Sequence, residues 1–102
     1  MSASVVFLAP AREELSVAAD WYDEQRPGLG VEFVVEIGEA VAQIRDNPEG
    51  WPRWREDRPY RKRFLTRFPY VLFYVVAAEG HVEVVAVAHA RRKPGYWLER
   101  QP

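Results

Sequence analysis

RPYRKRFLTRFPYVLFYVVAAEGHVEVVAVAHARRKPGYW, residues 58–97, is the stretch on which the fold turns. Tyr60 to Leu65 reads as a strand, with Arg61 and Arg63 on one face and Tyr60, Lys62 and Phe64 on the other. Pro69 stands where its missing donor does least harm, at the start of the next strand. Tyr70 to Val76 is apolar throughout, which predicts a central strand covered on both faces. Glu79-Gly80 signals a turn, and Val82 to Ala88 then alternates. Strict alternation sets Val82, Val84 and Ala86 against Glu83, Val85 and Val87. Three such strands in succession predict an antiparallel meander. The segment ends in a basic and aromatic tail that brings Arg91, Arg92, Tyr96 and Trp97 after His89.

Outward toward the N-terminus the period changes from two to 3.6. Val5 to Leu8 is a short β-branched run, and Pro10 suits the first turn of a following helix. Ala11, Leu15, Ala18, Ala19 and Tyr22 make one helical stripe, with Glu13 and Glu14 near the positive end of the helix dipole. Trp21 and Tyr22 are expected at the helix–sheet interface, although Trp21 lies off the stripe. Pro27-Gly28 ends this helix. Gly30 to Asp46 predicts a second one, with Val34, Ile37, Val41 and Ile44 as its seam, Phe33 and Ala40 widening it and Glu36 off it, and Asn47-Pro48 stops it. A short break between two amphipathic helices implies a helical hairpin. Residues 47–59 hold Pro48, Pro52 and Pro59 and read as a loop whose Trp51 and Trp54 fold back on the core edge. The order β-α-α-β-β-β predicts an α+β fold. It is a two-layer sandwich, with the hairpin on one face of a small, mostly antiparallel sheet and the arginines on the opposite face. One domain over 1–102 is expected from the length.

Charge divides the chain. Residues 1–50 hold ten acids and three bases, a net of −7, and residues 51–102 hold eleven bases and five acids, a net of +6. A near-neutral total therefore conceals a positive half, and local field matters more than net charge for a partner. With no Cys there is no disulfide and no thiolate chemistry, which suits a reducing cytoplasm. No apolar run approaches the roughly 18 residues of a membrane span. The N-terminus lacks the basic segment of a signal peptide. His81 and His89 stand alone without carboxylates at ligand spacing, so no metal site is expected. PGLG lacks the lysine and preceding strand of a phosphate loop, so no cofactor is expected. The acidic first half argues against direct specific DNA binding by the chain alone.

Several segments carry a family resemblance over nearly the whole chain: PAREELSVAADWY, PGLGVEF, IRDNP, RKRFLTRFPYVLFY and AVAHARRKPGYW. The last two are the most specific, with FPY followed by an aromatic three residues on, then a strand leading to HxRRxPxYW. In these the chain resembles the RelE/ParE superfamily of type II toxin–antitoxin toxins, once called plasmid stabilization proteins, and lies closer to the ParE-like side. The resemblance implies a small soluble toxin neutralised by a cognate antitoxin. ParE-like members poison DNA gyrase. RelE-like members are ribosome-dependent mRNA interferases that cut messenger RNA by 2′-hydroxyl attack.

The RelE-like alternative needs groups that deprotonate the hydroxyl, hold the phosphate and protonate the leaving oxygen. The resemblance would assign phosphate contacts to Arg61, Arg63 and Arg91, whose planar forks suit phosphate oxygens, and proton transfer to His89 or Tyr96. The basic residue usual after the central-strand Tyr is replaced by Val71. Blander readings stand beside this one. Arg61, Lys62 and Arg63, with Arg91, Arg92 and Trp97, would contact an antitoxin or target. His89 would cap its strand through a backbone hydrogen bond. Tyr96 and Trp97 would pack the tail onto the sheet, and Tyr70, Phe73 and Tyr74 would be core. The third functional reading is a non-toxic relic that keeps only antitoxin binding.

Overall fold

The computed structural model describes residues 3–100. The elements are β1 (Val5–Phe7), α1 (Ala9–Gln25), α2 (Leu29–Asp46), β2 (Arg61–Phe64), β3 (Tyr70–Val76) and β4 (Val82–His89), with a 3-10 turn at Leu98–Arg100. The sheet order is β1-β4-β3-β2. β2, β3 and β4 form the expected antiparallel meander, and β1 adds parallel to β4. This is the α+β, β-α-α-β-β-β arrangement that the periodicity predicts. Among the described residues no helix is long and apolar enough to cross a membrane.

The helices are tightly paired for local reasons. Pro10 sits in the first turn of α1. Gly28 turns the chain at φ 89°, a left-handed conformation that glycine adopts without steric cost. Two residues later Gly30 lies against Ala19 and Asp23 of α1, where a Cβ would strike the Ala19 carbonyl. Asp23 Oδ1 accepts the Gly30 N–H at 2.7 Å, which satisfies a donor at the start of α2.

The face of α2 follows the expected seam except at its first member. Phe33, Ile37, Ala40, Val41 and Ile44 are buried, whereas Val34 is 43% exposed. Two interactions centre the buried face on the Phe33 side. Phe33 joins an aromatic cluster with Tyr22, Phe68 and Tyr70 at centroid distances of 5.1–5.3 Å. Glu36, expected in solvent, turns inward and accepts the backbone N–H groups of Thr66 and Arg67 between β2 and β3. A carboxylate that takes up otherwise unpaired amides can be buried at little cost.

The largest correction concerns β4. Its alternation breaks because Phe73 pairs with Ala86 while Tyr74 pairs with Val84, leaving Val85 as an extra residue. The bulge flips every later side chain to the other face. Val82, Val84 and Val87 therefore share the helix-side core, while Val85, Ala86 and Ala88 belong to a second core on the opposite face. His89, paired with Tyr70, is turned to the helix side.

That second core also overturns the expected arginine face. Arg61 and Arg63 stand opposite Tyr74 and Leu72, both helix-side residues, so the arginines share the helices' side. The face away from the helices is closed by the tail and the 47–59 loop. Trp97 is fully buried there, against Phe73 (4.6 Å), Tyr60 (4.5 Å) and Trp54 (4.9 Å). Trp51 folds instead onto the helix-side core. Trp21 lies outside both cores, contrary to the interface expected for it.

Trp97→Ala should thus cost about 3–5 kcal/mol, the range for deleting a large buried aromatic. Trp21→Ala should change stability by no more than about 0.5 kcal/mol. Urea unfolding of the two variants checks the contrast, and equal losses would mean that the tail is not part of the core.

Candidate functional site

The residues expected to form one cationic site occupy two separate places. Arg61 and Arg63 are engaged by the end of α2 and the loop after it. Arg61 Nη1 donates to the Trp51 carbonyl at 2.7 Å and to the Glu49 carbonyl at 3.2 Å. Arg63 Nη2 donates to Gln43 Oε1 at 2.6 Å, and its guanidinium lies 4.7 Å from the Trp51 ring centroid. Tyr74 donates its hydroxyl to the Pro48 carbonyl at 2.7 Å, and burial pushes that hydroxyl up to about 12 despite the nearby Arg61. These contacts pin the loop to β2 and β3. Lys62 points to the other face, with its ammonium 5.9 Å from the Phe64 ring centroid.

The second group gathers past the end of β4. His89 Nδ1 accepts the Arg91 N–H at 3.1 Å, so the neutral ring carries its hydrogen on Nε2. This is the strand-end capping read from the sequence. The His89 ring meets Tyr70 edge-on at 5.3 Å. Arg92 lies over the Tyr96 ring at 3.4 Å and stands 3.7 Å from Glu14 Oε2.

Arg61 pairs with Tyr74. His89 pairs with Tyr70. At about 3.3 Å per residue and about 4.8 Å per strand, the Arg61 and His89 Cα atoms are roughly 16 Å apart. The Arg61 and Arg63 guanidiniums reach away toward the 43–51 segment. In this arrangement the two groups do not converge on one point. Val71 is buried in the second core beneath the tail, where a side chain could not reach a substrate.

At the centre of the second group is Glu14, which the sequence places only near a helix dipole. Its Oε1 accepts the Val87 N–H (2.9 Å) and Arg100 Nη1 (2.9 Å), and its Oε2 accepts the Tyr96 hydroxyl (2.8 Å) and Arg100 Nη2 (2.9 Å). Arg100 Nη1 also donates to the Val85 carbonyl at 3.0 Å. β1 ends opposite Val84, so these β4 groups would otherwise form an unpaired sheet edge. The carboxylate and the guanidinium stand in for the missing rungs. A three-residue β1 beside an eight-residue β4 is a sign that something must cap the difference. Which residues do so is not readable from spacing, because Glu14 and Arg100 are 86 residues apart.

The titrations follow from this geometry. Burial alone would raise the Glu14 carboxyl, but the hydrogen bonds from Arg100, the Val87 amide and Tyr96 outweigh it and hold it below the ordinary carboxylate value. Burial, and then the bond to the Glu14 carboxylate, push the Tyr96 hydroxyl strongly up. A hydroxyl so held keeps its proton and is a poor base.

One hollow stands open beside this network. It runs between Val17 and Trp21 of α1 and the Pro69, Tyr70 and His89 wall, with a volume of about 450 Å³. Among the described residues, no cluster of three or more His, Cys, Asp or Glu is placed to hold a metal ion.

The Glu14 network makes a pH prediction. A carboxyl lowered on folding contributes stability that is complete above its unfolded value and is lost as pH falls through its folded value. Glu14→Gln should cost about 2–3 kcal/mol at pH 7, and the gap from the parent chain should shrink as pH drops below about 4. Urea titrations of both proteins between pH 7 and pH 3 measure the gap, and a gap that is constant over this range would contradict the assignment.

Comparison with known proteins agrees with the fold and the motifs. No curated protein sequence matches the chain. A solved chain described as the chromosomal ParDE TA system from P. aeruginosa superposes with a TM-score of 0.77 at 20% identity, covering 88% of this chain and 98% of that one. At that identity the likeness speaks for the fold. The model of the family described as the ParE toxin of the type II toxin–antitoxin system parDE matches residues 5–94. The chain belongs to the ParE toxin family of type II toxin–antitoxin systems.

Proposed function

We propose that the chain acts in the cytoplasm as a toxin through protein–protein contact, with DNA gyrase as its host target and a cognate antitoxin as its neutraliser. The observation that carries this reading is the separation of the would-be catalytic residues. Arg61 and Arg63 bind backbone and side-chain oxygens of the 43–51 segment. Tyr96 is tied to Glu14. His89 caps its own strand end. An RNA-cutting site needs phosphate contacts and a proton donor around one scissile bond. Convergence of these groups would require breaking contacts that hold the loop and tail.

Among the residues expected to meet partners, the geometry favours some over others. Lys62, Arg91 and Arg92 keep exposed or half-exposed side chains. Arg61 and Arg63 are committed to the fold, and Trp97 has no surface to offer.

Two assays on the purified chain separate the three readings. In a supercoiling assay the chain should inhibit gyrase, and Arg91→Glu should weaken that inhibition about tenfold while leaving the fold intact. In a translating extract, mapped transcripts should remain uncut. Cuts within translated messages with gyrase untouched would support an mRNA interferase instead. Inactivity in both assays would point to a relic that retains antitoxin binding alone.

A further inference from the structure

α2 is apolar on two sides. Phe33, Ile37, Ala40 and Ile44 turn into the core. On the outward side Val31, Val34, Val35, Gly38 and Ala42 are exposed, Val31 at 63% and Val35 at 54%. At about 100° per residue these five fall within an arc of roughly 100°. A helix that is apolar all round is ordinarily covered on both sides. Gly38 stands near the middle of the outward arc, and a Cβ there would meet nothing within 4 Å among the described residues. One copy of the chain therefore has no packing need for this glycine, which costs helix stability relative to alanine. Glycine does suit a point where a second backbone approaches closely.

The ends of this face carry charge in a self-complementary order. Because α1 and α2 form a hairpin, Arg12 near the start of α1 lies toward the end of α2, where Arg45 stands. Toward the turn that joins the helices are Asp20 and Asp23. All four are exposed, and none takes part in an ion pair among the described residues. The flank of α2 away from α1 is different. Its Glu32 is already met within the chain by Arg67 at 2.6 Å and by Arg26 at 3.2 Å. Two copies laid antiparallel and crossed at Gly38 set the cationic end of each over the acidic end of the other. Arg45 then stands level with Val31 of the second copy, the two being equally far from Gly38 in sequence. Asp20 and Asp23 of that copy lie on the adjoining helix.

We propose that the outward face of α2 is the interface of a homodimer, with α2 packed antiparallel on α2 of a second copy and Gly38 at the two-fold axis. A two-fold contact uses the same patch twice, so the patch must complement its own reverse. The valines do so by shape, and the Arg12 and Arg45 end does so by charge against the Asp20 and Asp23 end. The contact removes from water an apolar strip that a lone chain leaves exposed. One helix pair is a contact at the low end of specific interfaces, so the dissociation constant should be on the order of 10 µM.

Sedimentation equilibrium of the full chain between about 1 and 500 µM reads this directly. The average mass should climb from 11.9 kDa toward twice that value as concentration rises. Val35→Lys should weaken association about tenfold or more, with circular dichroism showing the fold unchanged. Gly38→Leu gives a split result. It should raise the melting temperature of the dilute monomer, because leucine favours a helix over glycine, and it should weaken association about tenfold by holding the two helices apart. Arg45→Asp should weaken association about tenfold, and adding Asp20→Arg to the same chain should recover most of the loss, since the charge order is then reversed at both ends. A chain that stays monomeric throughout would overturn the proposal, and the α2 face would then belong to a different partner. A dimer indifferent to Val35→Lys and Gly38→Leu would overturn it too, as would an Arg45→Asp loss that Asp20→Arg leaves uncorrected.

Discussion

A single carboxylate holds together three parts of the chain that are distant in sequence. Glu14, on α1, takes the amide that β4 leaves unpaired where β1 stops, and it binds both terminal nitrogens of Arg100 in the tail. Arg100 in turn takes the β4 carbonyl of Val85. Backbone groups at a buried sheet edge must find partners. Here an ion pair supplies them in place of a strand. The same pair fixes where the tail runs, and thus where Trp97 lands on the sheet.

This constraint reaches the proposed function. With the tail docked, the face away from the helices holds a second core where an arginine surface was expected. The arginines of β2 are held on the helix side by the loop they fasten. The open surfaces include the α1 flank with Val17 and Trp21, the α2 face with Val31, Val34 and Val35, and the basic turn after β4. A protein that acts by contact needs surfaces of that kind and has no need of a convergent catalytic centre. The low affinity of Tyr96 for losing its proton fits a structural tie better than proton transfer.

Much of the fold is legible in residue order because local signals agree. The Pro and Gly positions mark both helix ends, and the apolar runs mark the meander. The Val82–His89 strand is where the reading fails, since a one-residue bulge inverts its phase and no residue type announces it. The α2 seam holds except at Val34 and Glu36. Glu36 is turned inward by backbone donors on the β2–β3 connection, which a helical period cannot foresee. The candidate site was assembled from cations that share a stretch of sequence. Register decides that Arg61 faces the helices and lies four β3 positions from the His89 pairing, and register is a property of the sheet as a whole. The role of Glu14 is not legible because it depends on what is missing opposite it, a longer β1.

Amide hydrogen exchange at Val87 tests most directly whether the carboxylate completes the sheet edge. In the parent chain this amide should be protected to the level of the neighbouring β3–β4 ladder. In Glu14→Ala it should exchange orders of magnitude faster, together with the amides of the 96–100 tail, while the β3–β4 ladder stays slow. Equal protection of Val87 in the two proteins would contradict the account, since the edge would then be closed by something other than Glu14.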